Sequence, residues 1–304
     1  MTLEVATSYF PVSGDIRSNA GWVLRHMRIA KERGAHVIHF PEACLSGYAG
    51  VDLRSHQGLN WRLLEHYTHQ LIDAAGTIGI WVILGSVHRL SGANKPHNSA
   101  YIISDRGQIV DRYDKRFCAG PASGRSGDLA HYTPGEHFSV FTIKGIRCGA
   151  AICHDCRYPE VYRQYARMRV RLMFQSFHAG NMSSSRWTGM REVTSGFEKL
   201  NAASTLPGIV FPATVQSMAA NNFMWVSCSN SSAKESCFGA FFARPDGVIT
   251  GRLRRNVAGV LISTVDTRED LYDSTRAWRD RAIDGTYHSG QLPGDKRSRI
   301  RTEV

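Results

Sequence analysis

Three residue types that can share one reaction stand at the ends of segments that read as strands in this chain. Cys153 closes Gly149-Ala-Ala-Ile, Glu42 follows His39-Phe-Pro, and Lys115 follows Tyr113-Asp. After Cys153 the chain turns polar, and Pro159 and Glu160 open an amphipathic run. That is the pattern of a strand, a sharp turn and a helix, where backbone N–H groups and the helix's positive end favour a thiolate. A thiol attacking a carbonyl must lose its proton, and a carboxylate held close can take it. The oxyanion that forms then needs positive charge, which a lysine ammonium and the N–H of His154 can supply. The three types are therefore compatible with acyl transfer through a thioester. Taken singly, each also reads as something ordinary: a buried structural cysteine, a surface carboxylate, a surface lysine.

The elements that must position these residues follow from periodicity. Residues 3–9 read as a strand. Asp15 caps a helix whose apolar face is Ile16, Ala20, Val23, Leu24, Met27 and Ala30, closed by Gly34. Residues 37–40 form a short buried strand ended by Pro41, so Glu42 lies at a strand's C-terminal end, where sites in α/β folds collect. Residues 61–78 read as a second helix and 81–88 as another strand. Residues 99–104 and 108–113 flank Asp105-Arg-Gly107 as a hairpin, with Lys115 just past it. Residues 118–133 are a long surface loop, read as a lid. Strands at 138–143 and 147–152 lead to Cys153, followed by a helix to about 169 and a strand at 172–177. Residues 183–208 carry little pattern, and 212–222 read as helix. Strands at 224–229, 239–243, 248–253 and 259–265 follow, then a final helix at 271–283. Strands alternating with helices, with hairpins mixed in, imply an α/β layered fold with a mixed sheet. With no internal linker or repeat, residues 1–304 read as a single domain with a basic tail at 284–304.

The bulk properties narrow the setting. At 304 residues, 42% hydrophobic and 21% charged, the chain can bury a large core. Met1-Thr-Leu-Glu-Val lacks a basic start followed by an apolar run, and no apolar stretch is long enough to span a bilayer. A soluble, cytoplasmic protein without membrane association is expected. Seven cysteines without regular spacing point to free thiols in a reducing compartment. Cys153 and Cys156 form a CxxC, which leaves a redox reading open, whereas zinc lacks a second ligand pair nearby. The net charge of +11 comes mostly from arginine clusters such as Arg163, Arg167, Arg169 and Arg171. Without a nucleic-acid motif these read as a solvated basic surface or a subunit contact, so no nucleic-acid partner is expected.

Several segments together resemble the nitrilase, or carbon–nitrogen hydrolase, superfamily. They are His39-Phe-Pro-Glu42 with Leu45-Ser-Gly-Tyr48; Tyr113-Asp-Lys115; and Cys153-His-Asp-Cys-Arg-Tyr-Pro-Glu160. Ala219-Ala-Asn-Asn with Trp225-Val-Ser-Cys-Ser-Asn230, and Arg244-Pro-Asp-Gly247, fit its later segments. The resemblance covers roughly residues 2–266. It implies a four-layer α-β-β-α sandwich of two mixed sheets, with Cys153 as nucleophile, Glu42 as general base and acid, and Lys115 as stabiliser of the tetrahedral intermediate. It also implies a homodimer or larger homo-oligomer and no metal or organic cofactor. Members often carry a second glutamate before the turn that here is Thr133-Pro-Gly135. The best-aligned acid is Asp128, with Glu136 a rival beyond the turn. The residues after Cys153 look like the amidase and carbamoylase branches, so the expected substrate is a small linear amide, with Tyr48 and His178 lining its pocket. Nitrile or N-carbamoyl hydrolysis and N-acyl transfer are alternatives on the same scaffold, and a non-catalytic redox or binding protein is a third reading.

Overall fold

The computed structural model describes residues 1–302. The chain begins with β1 (Thr2–Phe10), whose buried run feeds α1 (Ile16–Glu32). Asp15 accepts from the backbone N–H groups of Arg17 and Ser18, satisfying donors that the first helical turn leaves free. After β2 (Val37–His39) comes α2 (Trp61–Ile78), capped by Asn60 and ended by Gly79 at φ 68°. There follow β3 (Trp81–His88), β4 (His97–Ile103) and β5 (Ile109–Asp114), then β6 (Val140–Ile143) and β7 (Ile146–Ile152). A 3-10 turn over Cys153–Arg157 leads into α3 (Pro159–Arg167), with Pro159 at the first helical position where its missing N–H costs nothing. The chain then runs through β8 (Leu172–Ser176), α4 (Ser184–Glu192), α5 (Leu206–Asn222) and β9 (Trp225–Ser231). It ends in β10 (Phe241–Ala243), β11 (Ile249–Arg252), β12 (Gly259–Asp266) and α6 (Arg279–Ile283).

The strands join in the order β5-β4-β3-β2-β1-β9-β8-β7-β6, with β12 on β1, β10 on β9 and β11 on β10. Strands β1, β2 and β3 run parallel, as do β7, β8 and β9, while the hairpins are antiparallel. The sheet is therefore mixed, as expected. Two separate sheets were also expected, and here the hydrogen bonding differs. Tyr9 and Phe10 pair with Asn230 and Ser231, and this short parallel contact links both halves into one twelve-stranded sheet with a nine-stranded path.

Three apolar clusters hold the layers together. Helices α1 and α2 cover β1–β3 through Val23, Met27, Leu64 and Leu71. Helices α3 and α5 cover β7–β9 through Val161, Tyr165, Val215 and Met218. The third cluster is built from strands of both halves: Val5, Val37, Ile83 and Ile102 with Ile143, Ile152, Phe174 and Trp225. Strands β4 and β5, at one end of the path, touch β7 from near its other end.

Two helix expectations are corrected. The helix expected at 271–283 is only α6, because the Asp273 side chain accepts from the Thr275 N–H and hydroxyl and sets a turn instead. Tyr272, in that stretch, is 82% exposed, and Leu271 alone of its first residues packs against the third cluster. Helix α5 starts six residues before Pro212, capped by Thr205 and with a proline in its first turn. Residues 291–302, most of the described tail, are exposed. Among the described residues, no helix is long and apolar enough to cross a membrane.

Candidate active site

Glu42 leaves the end of β2 through Pro41, and its backbone N–H bonds the carbonyl of Phe177, beyond β8, at 3.2 Å. Its side chain is fully buried. Oε1 accepts from Asn98 Nδ2 and from Lys115 Nζ, both at 2.8 Å, while Oε2 is buried with no partner. Lys115 follows β5, and its N–H bonds the Asn98 carbonyl at 2.8 Å. One residue of β4 therefore locates both members of the pair.

The Lys115 ammonium is buried between two carboxylates, Glu42 at 2.8 Å and Asp128 at 2.7 Å, with the Tyr48 hydroxyl at 3.4 Å. Asp128 sits in the short 3-10 turn Asp128–Ala130 within the long loop. It accepts from the Ala119 N–H at 2.8 Å and from the Tyr48 hydroxyl. Glu136, the rival acid, is exposed. Burial alone would lower the Lys115 pKa, but the charge of Glu42, with Tyr48, Cys153 and Asp128, raises it well above the lysine range. Burial likewise opposes the charge on Asp128, and Lys115 and its hydrogen bonds hold its carboxyl below the usual range. The cluster at neutral pH thus contains a locked ammonium and an ionised Asp128.

Cys153 begins the turn after β7 at φ 46°, and Ala43, next to Glu42, is also left-handed at φ 51°. Such conformations cost a non-glycine residue about 1–2 kcal/mol, so the surrounding contacts impose them. For the turn at Cys153, the contacts come from Asp155. Its buried carboxyl accepts from Ile152 N at 2.9 Å, Phe117 N at 2.7 Å and Tyr113 Oη at 2.8 Å, tying the turn to both sides of Lys115. Burial pushes the Asp155 carboxyl up to about 6 despite these donors. The Cys153 thiol is raised well above its ordinary value, first by burial and then by the charge of Glu42, with Lys115 acting against both. The resting state is therefore a neutral thiol within the field of a carboxylate and an ammonium.

These groups meet at a cavity of about 670 Å³, lined at its inner end by Tyr48, Asp128, Cys153, His154 and His178. His178 Nε2 lies 2.8 Å from Asp52 Oδ2, an ion-pair approach rather than an aligned hydrogen bond, and its Nδ1 is buried without a partner. Burial would lower the His178 pKa, but Asp52 outweighs it and raises the value. The imidazole stacks on the Tyr48 ring at 5.2 Å between centroids. Cys156 is fully buried, and all seven cysteines are free thiols. No group of three or more His, Cys, Asp or Glu suited to a metal ion occurs among the described residues.

The structure thus brings together Glu42, Tyr48, Lys115, Asp128, Cys153, His154 and His178. Sequence reasoning missed Asn98, Asp155 and Asp52. Asp155 had a signal, standing two residues after Cys153 in the quoted segment, whereas Asn98 and Asp52 carry none.

Comparison with known proteins bears on the family and the fold. The sequence profile described as Carbon-nitrogen hydrolase matches residues 5–272. "Nitrilase homolog 2" of Dictyostelium discoideum is 27% identical over 154 residues, covering 49% of this chain and 46% of that protein. A glutamine-dependent NAD(+) synthetase of Thermotoga maritima is 28% identical over 145 residues, covering 48% of this chain and 24% of that protein. The chain therefore spans less than half the length of these curated relatives. A point mutant of the Nesterenkonia AN1 amidase from the nitrilase superfamily superposes with a TM-score of 0.68 at 19% identity, covering 88% of this chain and 91% of that one. Other structures of that amidase hold butyramide, or carry the acetamide moiety of fluoroacetamide on the active-site cysteine.

Proposed function

The chain belongs to the carbon–nitrogen hydrolase family, and from that premise we propose that it hydrolyses the C–N bond of a small linear amide through a thioester on Cys153. The observation that carries the reading is the buried Glu42–Lys115–Asp128 cluster, set beside a cysteine that opens on a cavity.

In this reading Glu42 Oε2, free of protein partners, takes the Cys153 proton as sulfur attacks the amide carbon. The transfer moves one negative charge from carboxylate to sulfur and leaves the net charge of the cluster unchanged. Lys115 attracts the charge in either place, which offsets the high resting pKa of the thiol. The tetrahedral oxyanion faces Lys115 and the His154 N–H. On its collapse the C–N bond breaks, the proton on Glu42 passes to nitrogen, and ammonia or an amine leaves. Glu42 then takes a proton from water, whose oxygen attacks the thioester, and the acid departs as the proton returns to sulfur. Asp128 occupies the place of the second glutamate common in the family, anchored through Lys115 and Tyr48, and Tyr48 with His178 borders the substrate.

The same reading extends to the architecture. The third apolar cluster, shared by both halves of the sheet, supports two stacked sheets between helical layers, within one domain with a basic tail at 284–304. A homodimer or larger homo-oligomer is part of the proposal.

The test is ammonia release from a panel of amides, nitriles and N-carbamoyl compounds, with intact-protein mass spectrometry for the acyl adduct. Glu42→Gln should slow both adduct formation on Cys153 and ammonia release, and Cys153→Ala should form no adduct and release no ammonia. A Cys153→Ala protein that still turned over the best amide would refute the mechanism.

A further inference from the structure

Asn98 enters the cluster from β4, fully buried, where it pairs with Val87 of β3. Its carbonyl accepts from the Lys115 N–H and its side-chain Nδ2 donates to Glu42 Oε1, each at 2.8 Å. Lys115 Nζ donates to the same oxygen, also at 2.8 Å. Two donors therefore converge on Oε1, while Oε2 has no partner. The last torsion of a glutamate is soft and roughly two-fold, so a lysine alone could hold either oxygen. A second donor from a paired strand removes that freedom. The orientation of the amide follows from its neighbour: turned over, its carbonyl would face a carboxylate oxygen with no proton between them. As it stands, Asn98 Oδ1 is buried without a partner, which costs stability and adds nothing to packing.

Resting on the reading of Glu42 as the base, we infer that Asn98 is a positioning residue: with Lys115 it pins Oε1, and so presents Oε2 to the Cys153 proton. Asn98 acts through Glu42 and makes no contact with the reacting atoms. Its loss should slow proton removal rather than weaken substrate binding.

The experiment follows alkylation of Cys153 by iodoacetamide, read by mass spectrometry on the peptide that carries it, beside kcat and KM for the fastest amide of the panel. In alkylation the S–C bond forms as C–I breaks, iodide leaves and the thiol proton passes to Glu42. The rate therefore reports the base whatever the natural substrate. Asn98→Leu, of similar volume, removes the donor and should lower both the alkylation rate and kcat about tenfold or more, with KM held within about twofold. Asn98→Asp keeps the shape but sets an acceptor against Oε1. At about pH 8 it should lose at least as much as Asn98→Leu. Relative to the wild type it should recover toward about pH 6, as the new carboxyl between Glu42 and Lys115 takes up a proton it can donate. A residue needed only for packing would give the opposite order, because aspartate is the closer fit. Ser86→Ala, which deletes a buried unpartnered hydroxyl on β3, should change neither rate. If Glu42→Gln is alkylated slowly while Asn98→Leu matches the wild type, or if Asn98→Asp outperforms Asn98→Leu at about pH 8, the role given to Asn98 falls and that of Glu42 stands. If Glu42→Gln is alkylated as fast as the wild type, the base is misassigned and this inference falls with it.

Discussion

Replacing Lys115 by Met removes one buried cation and strands two carboxylates. Each ion pair, at 2.8 Å to Glu42 and 2.7 Å to Asp128, has a gross attraction of about 6 kcal/mol at an effective dielectric of ~20. Desolvation offsets much of that, and breaking such buried pairs costs about 3–5 kcal/mol in practice. Against a total stability of about 5–15 kcal/mol, this is a large share. The pH dependence supplies a sharper check. In the wild type the Asp128 pKa is depressed, so its contribution is present above its unfolded value of about 4 and is lost as pH falls through the lower folded value. In Lys115→Met the two acids face each other without a cation, and one is pushed upward. The folded variant then binds more protons than the unfolded chain, so it gains stability as pH drops toward about 5. Urea unfolding at about pH 8 and about pH 5 should therefore show a large penalty that shrinks on acidification. Lys115→Met/Asp128→Asn, which removes the excess charge, should recover part of the loss. A penalty below about 1 kcal/mol at the higher pH, or one equal at both, would refute this account of the cluster.

Gly85 packs against the segment that carries Glu42, and a Cβ there would lie 2.0 Å from the Pro41 carbonyl oxygen; Gly85→Ala should cost about 2–3 kcal/mol in urea unfolding and lower kcat/KM together with it. Asp52→Asn removes the charge that raises the His178 pKa against burial. The wild-type pair stabilises fully below about pH 6.5 and less as pH rises through the folded value, so the difference in melting temperature between the two proteins should be greater at about pH 6 than at about pH 9.

Local periodicity carried most of the fold. Helix α2 falls at 61–78 as read and β3 at 81–88; the strand ends at Glu42 and Cys153 were visible from apolar runs that stop at a proline or a polar turn, and the one at Lys115 from the hairpin signal Asp105-Arg-Gly107. The helix read at 271–283 failed because Asp273 competes for the backbone, which apolar spacing does not report. Asp128 was found through family resemblance, since a loop has no period. Asn98 and Asp52 escaped because their importance lies in partners 56 and 126 positions away.

By itself the sequence determined the reagents: a thiol, a carboxylate and an ammonium, each placed where a strand stops. Their meeting was decided by tertiary structure. Strand order interposes β8, β9 and β1 between β7, which leads to Cys153, and β2, which leads to Glu42, and Asp155 ties the two halves across the site. The protonation of the groups was decided there as well. The same lysine and the same thiol would titrate normally in water, and burial beside opposite or like charge is what separates their states.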